Sequence, residues 1–323
     1  MNRPTLTRRA ALAALTAPAL PAIASAQENW PARTVRIVVP YAPGGGTDVT
    51  CRALAEALTG RTGHSFVVEN RAGANGVVGT EAVARSQPDG YTFGAQTSTH
   101  IMARQLVNLP YDPVTDFQLV SLLARYPLVM MSSMRAPFSD IRGMLEHARA
   151  TQGGMAQGTS DAQSSFAARQ FAKRANIELN EVPYRGSGAY LADLTAGHLP
   201  MAWGSPATAR ALVQSGQVRV IGVSSPERSP FLPDVPTLKE AGVSGADFIG
   251  WFGLLAPVRT PTDITSKLNQ ALNEIIATPA MQERYATLGN EAAPMNLEQL
   301  ATLMREDDAR WIAAAREGLI TRQ

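Results

Sequence analysis

Strand-like and helix-like segments alternate along most of this chain. The first pair is RTVRIVVP, an apolar strand, and DVTCRALAEALTGRTG, an apolar-periodic helix that ends at a glycine. The pattern continues through SFVVEN, GVVGTEAVARSQPDG and YTFGAQ, and it restarts at MAQGTS after a double glycine. Alternation of this kind predicts parallel sheets covered by helices, which is the α/β class.

Chain length and two connecting segments predict two lobes. With 323 residues, the chain exceeds the roughly 250–300 residues beyond which a single core stops growing. We expect a turn-rich crossover near residues 121–126 and a second, Pro-rich one near residues 225–236. This division assigns residues 27–124 and 226–323 to the first lobe and residues 125–225 to the second.

The first 26 residues have the features of an export signal. Basic residues come first, at Arg3, Arg8 and Arg9, and an apolar stretch too short to span a bilayer follows. An A-x-A site predicts cleavage after Ala26. The segment TRRAAL resembles a twin-arginine (Tat) motif, and ordinary Sec export is the alternative. Either route predicts a periplasmic protein.

The net charge and the cysteine content limit which partners and which disulfides this chain can have. The whole chain has a net charge of +2, and loss of the signal, which holds three arginines and no acid, leaves −1. A nearly neutral surface gives no reason to expect nucleic acid or an anionic membrane as a partner. Cys51 is the single cysteine, so no internal disulfide is expected, and its place in an apolar-periodic helix predicts a buried side chain.

The segment VPYAPGGGTDV places three glycines between the first predicted strand and the first helix. A dinucleotide fingerprint fails because position 49 is Val, and a P-loop fails because no Lys-Ser/Thr pair follows. What remains is an exposed backbone at a helix N-terminus, where the amides of Gly44, Gly45 and Gly46 suit a carboxylate. Asp48 is either the helix N-cap or an acceptor for an ammonium or hydroxyl group of the ligand.

Five further loops rich in small polar residues, Gly or Pro follow predicted strands. Ligands in open α/β sheets bind beyond the carboxyl ends of strands, so these loops are expected to meet at one site. We number them in chain order after loop one (residues 44–48): loops two to six are residues 71–76, 96–100, 158–164, 183–188 and 203–206.

Catalysis is the main rival interpretation. Loop four contains GTSDA, which is close to the nucleophile elbow G-x-S-x-G and would make Ser160 the nucleophile of a serine hydrolase. The only later histidine is His198, with Asp193 five residues before it, and nothing in the sequence brings this pair to Ser160.

Metal chemistry has less support, because the four histidines are scattered and no Cys/His cluster is present. His100 lies in loop three and could serve either ligand contact or structure. The aromatic residues Tyr41, Tyr184 and Trp203 adjoin loops from both halves, and they either wall a cleft or pack in the core.

Six stretches together resemble the solute-binding receptors of tripartite tricarboxylate transporters, the Bug or TctC-like family. They are VPYAPGGGTDVTCRALAE, VVENRAGANGVVGTEAVARSQPDGYT, LPYDPVTDFQLVSLLA, VPYRGSGAYLADLTAGHLPM, SSPERSPFLPDVPTLKEAG and GWFGLLAPVRTPTDI. The similarity runs over about residues 30–310. It implies a type II periplasmic-binding-protein fold, in which two α/β lobes joined by two crossover connections close on a ligand cleft.

The same resemblance implies a function without bond chemistry. Such a receptor captures a small carboxylate and delivers it to the membrane permease subunits of its transporter. We therefore expect no catalytic residue, metal or cofactor, and a monomeric protein. An orphan sensor, which presents ligand to a signalling partner without transport, is a further alternative.

In this family the strand-end loops hold a carboxylate through backbone amides and hydroxyl groups, partly through ordered water. The matching positions are Tyr41, Ala42, Gly45 and Asp48 in the first loop, Ala74 and Asn75 in the second, Ser98, Thr99 and His100 in the third, Thr159, Ser160, Gln163 and Ser164 in the fourth, and Tyr184, Arg185 and Gly186 in the fifth. The predicted ligand-binding set also includes Gly44, Trp203, Gly204 and Ser205. The last three lie where AGHLPMAWGSP departs from the family pattern, and Trp203 there could favour an aromatic or bulkier carboxylate.

Overall fold

The computed structural model describes residues 30–184 and 187–320. The predicted signal peptide, Arg185 and Gly186 lie outside the described residues, as do the side chains of Asn75 and Ser187.

The predicted α/β class is confirmed. In chain order the elements are β1 (Val35–Val39), α1 (Gly46–Thr62), β2 (Phe66–Asn70), a 3-10 turn (Ala74–Gly76), α2 (Val77–Ala84), β3 (Thr92–Thr97), α3 (Thr99–Leu106), β4 (Phe117–Pro127), β5 (Val129–Ser133), α4 (Ile141–Ala150), β6 (Met155–Thr159), α5 (Ala162–Ala175), β7 (Leu179–Pro183), α6 (Ser187–Ala196), β8 (Met201–Gly204), α7 (Pro206–Gln214), β9 (Val218–Val223), β10 (Ile249–Pro257), α8 (Thr262–Ile276), α9 (Pro279–Leu288) and α10 (Leu297–Arg316).

In the described ranges the strands form two five-stranded sheets, of order β2-β1-β3-β10-β4 (the first sheet) and β7-β6-β8-β5-β9 (the second sheet). The expectation of purely parallel sheets is wrong. β10 runs antiparallel to β3 and β4, and β5 runs antiparallel to β8 and β9. β5 and β10 are the strands that follow the connections between the sheets, so neither is preceded by the crossover helix that a parallel pair requires.

The chain passes from the first sheet to the second in extended conformation. β4 ends at Pro127 and β5 begins at Val129, so Leu128 alone separates them. The predicted turn-rich crossover at residues 121–126 is wrong, because these residues belong to β4 and pair with β10 through two register shifts. Most of their side chains are apolar and buried, which favours a strand over a turn. The return connection, residues 224–248, contains the predicted Pro-rich segment.

Ser224 ties the two connections together. Its hydroxyl donates to the Phe248 carbonyl at 2.6 Å and accepts from the Leu128 amide at 2.8 Å. Its own amide donates to the Leu128 carbonyl at 2.9 Å. The side chain is fully buried, so a single hydroxyl joins both chain segments that run between the sheets.

The βα junctions place the predicted loops at the carboxyl ends of strands. Loop one joins β1 to α1, and loops two to six follow β2, β3, β6, β7 and β8 in turn. α1 buries the side chains of Cys51, Leu54 and Leu58, which anchor the helix on the first sheet, and burial of each large apolar side chain stabilises the fold by roughly 1.5–3 kcal/mol. Cys51 is a buried free cysteine, as predicted.

Candidate ligand-binding cleft

A cavity of about 170 Å³ lies between the two sheets. Gly46, Tyr126 and Phe252 line it from the first sheet, and loops four and six line it from the second. Because both sheets contribute side chains, a ligand in this cavity contacts both halves of the molecule. Such a position couples ligand binding to the relative placement of the sheets.

Three helices of the described chain begin at this cavity. α1 starts at Gly46, α5 starts directly after Asp161, and α7 starts directly after Ser205. Each N-terminus presents unpaired amide groups and a partial positive charge. Asp161 and Ser205 cap their helices with their side chains, whereas no described side chain caps α1, whose N-cap residue is Gly45. α1 is therefore the one of these three helices whose first amide groups have no side-chain cap in the described chain, and its first turn also carries the Asp48 carboxylate.

Neutral donors dominate the rest of the lining. Among residues 30–184 and 187–320, no lysine or arginine lines the cavity, and Asp161 is its one charged residue. Gln163 is 6% exposed, and its Oε1 accepts from the Tyr126 hydroxyl at 3.0 Å. Gln163 lines the cavity, and among the described residues no hydrogen bond is made by its Nε2. Ser160 also lines the cavity.

The buried Asp48 side chain stabilises loop one through hydrogen bonds. Its carboxylate accepts hydrogen bonds from the Gly44 amide at 2.9 Å, Asn70 Nδ2 at 2.9 Å and Arg52 Nε at 3.1 Å. Burial raises the pKa of Asp48, but these bonds outweigh burial and hold the pKa below its ordinary value. The predicted N-cap role of Asp48 is wrong, because Gly45 occupies the N-cap position. Asp48 is absent from the described cavity lining, and its role as an acceptor for a ligand group stays a prediction. The Gly44 amide is used within the loop and does not face a ligand.

Loops one, two and three meet around Tyr41. Its hydroxyl donates to Gln96 Oε1 at 3.2 Å and lies 3.4 Å from Thr97 Oγ1. A Cβ atom on Gly76 would come within 3.3 Å of the Tyr41 ring, so loop two packs closely against loop one. Ala74 in loop two has φ +45°, a conformation that costs energy for any residue with a Cβ and is often found at ligand clamps.

The predicted residues of loops two and three lie outside the described lining of the cavity. Ser98 is buried, and its amide donates to the Trp251 carbonyl at 3.2 Å. The Thr99 hydroxyl lies 2.6 Å from that of Thr97. Ligand contact by these residues, and by Ala42, Ala74 and Asn75, stays a prediction.

His100 belongs to an aromatic cluster of the core. Its ring stacks on Tyr111 at 6.2 Å and meets the edge of Phe117 at 5.1 Å, and Nε2 is 2.9 Å from the Pro113 carbonyl. Burial lowers the pKa of His100 to about 4, so the ring is neutral at pH 7. Of the two alternatives for His100, the structure supports the structural role, because the ring is enclosed by the core.

Trp203 points away from the cavity. Successive side chains of a strand face opposite sides of its sheet, and on β8 it is Gly204 that lines the cavity. Trp203 is fully buried and packs edge-to-face on Phe171 of α5, with the ring centroids 5.7 Å apart. The expectation that Trp203 selects an aromatic ligand has no structural support, because its ring contacts the core.

Other predicted hydroxyl groups are engaged within the protein. Thr159 donates to Glu181 at 2.7 Å, and Ser164 belongs to the capping box of α5. The Tyr184 hydroxyl donates to Asp193 at 2.6 Å, and burial together with this carboxylate raises the pKa of Tyr184 to about 12. These contacts stabilise loops four and five. Ser160 and Ser205 line the cavity, and the Ser205 hydroxyl also caps α7, where it accepts from the Thr208 amide at 3.3 Å.

The serine-hydrolase interpretation lacks a general base. His198 lies 3.6 Å from Asp193, and its side chain is 76% exposed. Within the described ranges, no histidine hydrogen-bonds to Ser160, whose amide donates to Ser164 Oγ at 3.2 Å. Without a base in reach, the Ser160 hydroxyl remains a weak nucleophile.

Several cavity residues were not predicted as ligand contacts: Tyr126, Leu128, Asp161, Tyr190, Thr208 and Phe252. Tyr126 and Phe252 lie in apolar strands with ring centroids 4.5 Å apart, so their sequence pattern is typical of core. For Asp161 the sequence does contain a signal of a helix N-cap, because an acid followed three residues later by Ser164 is typical of a helix start.

The described residues contain neither a metal-binding cluster nor a membrane-spanning helix. No group of three or more His, Cys, Asp or Glu side chains is arranged to hold a metal ion. No helix in this part of the chain is long and apolar enough to cross a membrane.

Comparison with known proteins gives one family. A family model described as a tripartite tricarboxylate transporter family receptor, TctC, matches residues 50–318. The chain is 31% identical to the protein BugT of Bordetella pertussis over 295 residues, which covers 90% of each chain.

Solved structures agree in fold over almost the whole chain. The R. palustris protein Rpa4515 with adipate superposes with a TM-score of 0.83 at 30% identity, covering 91% of this chain and 100% of that one. MatC from Rhodopseudomonas palustris with bound malate superposes with a TM-score of 0.78 at 29% identity, covering 88% of this chain and 100% of that one.

Proposed function

The chain belongs to the tripartite tricarboxylate transporter receptor family, and on that premise we propose that it is a periplasmic solute-binding protein. It captures a small carboxylate in the cleft between the sheets and releases it to the membrane permease subunits of a tripartite tricarboxylate-type transporter. Binding alone is required for this role, and no bond of the ligand is made or broken.

The observation that carries this proposal is the convergence of helix N-termini on one cavity. α1, α5 and α7 begin there in the described chain, and the start of α1 has no side-chain cap. A carboxylate can take the place of that missing cap and accept several amide hydrogen bonds. Ser160, Gln163 and Ser205, which also line the cavity, are polar residues that add no charge.

Ligand size follows from the cavity and from the relatives. The cavity holds about 170 Å³, well below the roughly 300–1,000 Å³ of sites for drug-sized ligands. The related structures contain adipate and malate, both small dicarboxylates. A compact carboxylate therefore suits this chain better than a bulky aromatic one.

The mechanism is closure of two lobes about the paired connections. The proposed lobes carry one sheet each. They keep the expected division into residues 27–124 with 226–323, and residues 125–225, except that β4 runs on to Pro127 and so belongs to the first lobe. The buried Ser224 hydroxyl joins the connections at Leu128 and Phe248, so rotation about this point would open and close the cleft. The ligand favours the closed arrangement because it binds groups of both lobes only there.

Export precedes this function. We propose that the signal peptide is cleaved after Ala26 in the periplasm, by either the Tat or the Sec route. The mature protein acts as a monomer without a cofactor, and it has no role with nucleic acid.

A thermal-shift panel of mono-, di- and tricarboxylates tests the proposal. A ligand present at about 100 times its dissociation constant adds roughly 2.7 kcal/mol to the free energy of unfolding, which raises the melting temperature by several degrees. Sugars and inorganic cations serve as controls. A shift with a sugar or a cation, and with no carboxylate, would contradict the proposal.

A further inference from the structure

Phe252 of β10 limits the cavity on the side of the first sheet. The neighbouring Trp251 faces α10, where its indole Nε1 donates to Asp307 at 2.6 Å. Successive side chains of a strand face opposite sides of its sheet, so Phe252 faces the cavity, which it lines. Its residue surface is 8% exposed. The ring is therefore packed against other groups of the cavity wall and fills space that a ligand would otherwise occupy.

Gly46 gives the ring of Phe252 its place against α1. This glycine is the first residue of α1, and it also lines the cavity. Its backbone is helical, a conformation open to every residue, so backbone conformation alone does not require glycine here. Space does require it, because a Cβ at this position would lie 3.0 Å from Cζ of Phe252, closer than carbon atoms pack at their optimum. The tip of the ring thus contacts the start of the helix.

Tyr126 holds the ring of Phe252 from another side. The two ring centroids lie 4.5 Å apart, at an interplanar angle of 31°. Tyr126 is itself fixed, because its hydroxyl donates to Gln163 Oε1 at 3.0 Å and a Cβ on Gly250 would come within 2.6 Å of its ring. Phe252 therefore has little room to move away from a ligand, and the two rings form a stationary wall.

We propose that Phe252 sets the greatest chain length of the carboxylates that the cleft accepts. The inference rests on the proposed function and names a residue that determines its specificity. Wherever in the cavity its carboxylate binds, a ligand must fit in the volume that the ring leaves open, which is about 170 Å³. Removal of the ring would extend this volume toward α1 and β10.

Chain length should affect affinity in two opposite ways. Each methylene group that finds room buries apolar surface and raises the affinity roughly fourfold. A methylene group that meets the rings of Phe252 and Tyr126 must displace packed side chains, and overpacking of this kind lowers the affinity by about tenfold. We therefore expect affinity to rise with chain length to a maximum and then to fall steeply.

Calorimetric titration of the mature protein with two homologous series locates that maximum. The series are the straight-chain monocarboxylates from propionate to octanoate and the straight-chain dicarboxylates from malonate to suberate. Phe252→Leu removes the tip of the ring but keeps an apolar side chain, and Phe252→Ala removes the whole ring. We expect Phe252→Leu to move the maximum to an acid longer by at least one methylene group, and Phe252→Ala to move it at least as far.

Phe93→Leu is the matched control. Phe93 lies in β3, the neighbour of β10 in the first sheet, and it is fully buried. Its ring packs edge-to-face on Trp30, with the centroids 6.3 Å apart, and it lies outside the described lining of the cavity. The control should lower the melting temperature about as much as Phe252→Leu does, and it should leave the chain-length maximum where the wild type has it.

Two results would overturn the inference while carboxylate capture stands. One is a maximum that stays unchanged, or moves to shorter acids, in both Phe252 variants. The other is an equal displacement of the maximum in Phe93→Leu, since general loosening of the first sheet would then explain the effect.

A crystal structure of the wild type with the longest acid that it binds decides the matter if the Phe252 variants fail to fold. The chain of the acid should be in van der Waals contact with the ring of Phe252, and a chain that lies elsewhere would overturn the inference. If no acid of either series binds the wild type, the inference also fails. The thermal-shift panel, which includes tricarboxylates, then decides the proposed function separately.

Discussion

Gly45 is the residue at which loop one passes into α1. It has φ −74° and ψ 165°, an extended conformation open to any residue, and an added Cβ would meet only the Ala42 carbonyl, at 3.8 Å. Gly45→Val should therefore fold normally while its branched side chain obstructs approach to the amides of α1. We expect a carboxylate affinity lower by about tenfold or more, comparable to one lost charge-assisted hydrogen bond, in calorimetric titration.

Gly60→Ala provides the control for that experiment. Gly60 lies in the same helix, and a Cβ there would meet nothing within 4 Å. The control should keep wild-type affinity and gain about 0.5–1 kcal/mol of stability from its better helix propensity. If Gly45→Val binds the carboxylate as tightly as the control does, loop one is not the anion site.

Asp48 makes the stability of loop one depend on pH. Its folded-state pKa lies below that of an unfolded carboxyl group, so its stabilisation is complete above about pH 5 and is lost as pH falls through the folded-state pKa. Asp48→Asn should lower the free energy of unfolding at pH 7 by about 1–3 kcal/mol, because Gly44 and Arg52 lose a charged acceptor.

Urea denaturation from pH 7 to pH 3 checks this prediction. The stability difference between wild type and Asp48→Asn should narrow at the acid end, where the wild-type carboxylate begins to take up a proton. A difference that stays constant over the whole range would show that Asp48 does not contribute through its charge.

At the scale of elements, the connection between the sheets depends on one hydroxyl group. Ser224→Ala removes the acceptor of the Leu128 amide and the donor to the Phe248 carbonyl. Both groups are buried, so we expect a loss of about 1–3 kcal/mol in the free energy of unfolding, measured by urea denaturation.

Ser132→Ala is the matched control for Ser224→Ala. Ser132 is also fully buried, but its hydroxyl has no hydrogen-bond partner among the described residues. Its replacement should change stability little or should raise it. Equal losses for the two variants would indicate a packing effect and would contradict the linking role of Ser224.

Local sequence signals were sufficient for the strand-end loops but not for the way the strands are joined. Glycine-rich loop one and the capping residues at Asp161 and Ser205 follow from turn and helix-start chemistry near in sequence. The antiparallel placement of β5 and β10, and the passage at Leu128, depend on pairing between segments that are far apart in the sequence. α3 was not predicted from the sequence, because its eight residues directly follow a polar loop.

At the scale of the whole molecule, the same limit applies to the cavity. Tyr126, Leu128 and Phe252 each have the sequence pattern of a core residue, and they become cavity residues only because the two sheets face each other. His100 and Trp203 show the opposite case. Both lie in segments predicted as polar or glycine-rich loops, yet they belong to α3 and β8 and are buried. Where two sheets meet, the direction in which a side chain points depends on tertiary packing, and local sequence periodicity does not encode it.

The hydrogen bond from the Tyr126 hydroxyl to Gln163 spans the cleft, at 3.0 Å. Tyr126→Phe removes this bond and keeps the ring contact with Phe252. The closed arrangement should lose about 1 kcal/mol, which lowers ligand affinity roughly fivefold. Small-angle scattering should show a larger radius of gyration for the unliganded variant. Unchanged affinity and unchanged scattering would mean that this bond does not stabilise closure.

A crystal structure of the mature protein with its best-bound carboxylate tests the central claim most directly. The account predicts that the ligand lies between the two sheets, with a carboxylate oxygen within hydrogen-bond distance of the amides at the start of α1 and with a second contact from loop four or loop six. The claim would be contradicted by a carboxylate bound outside this cleft, or by one held in the cleft without any contact to the start of α1.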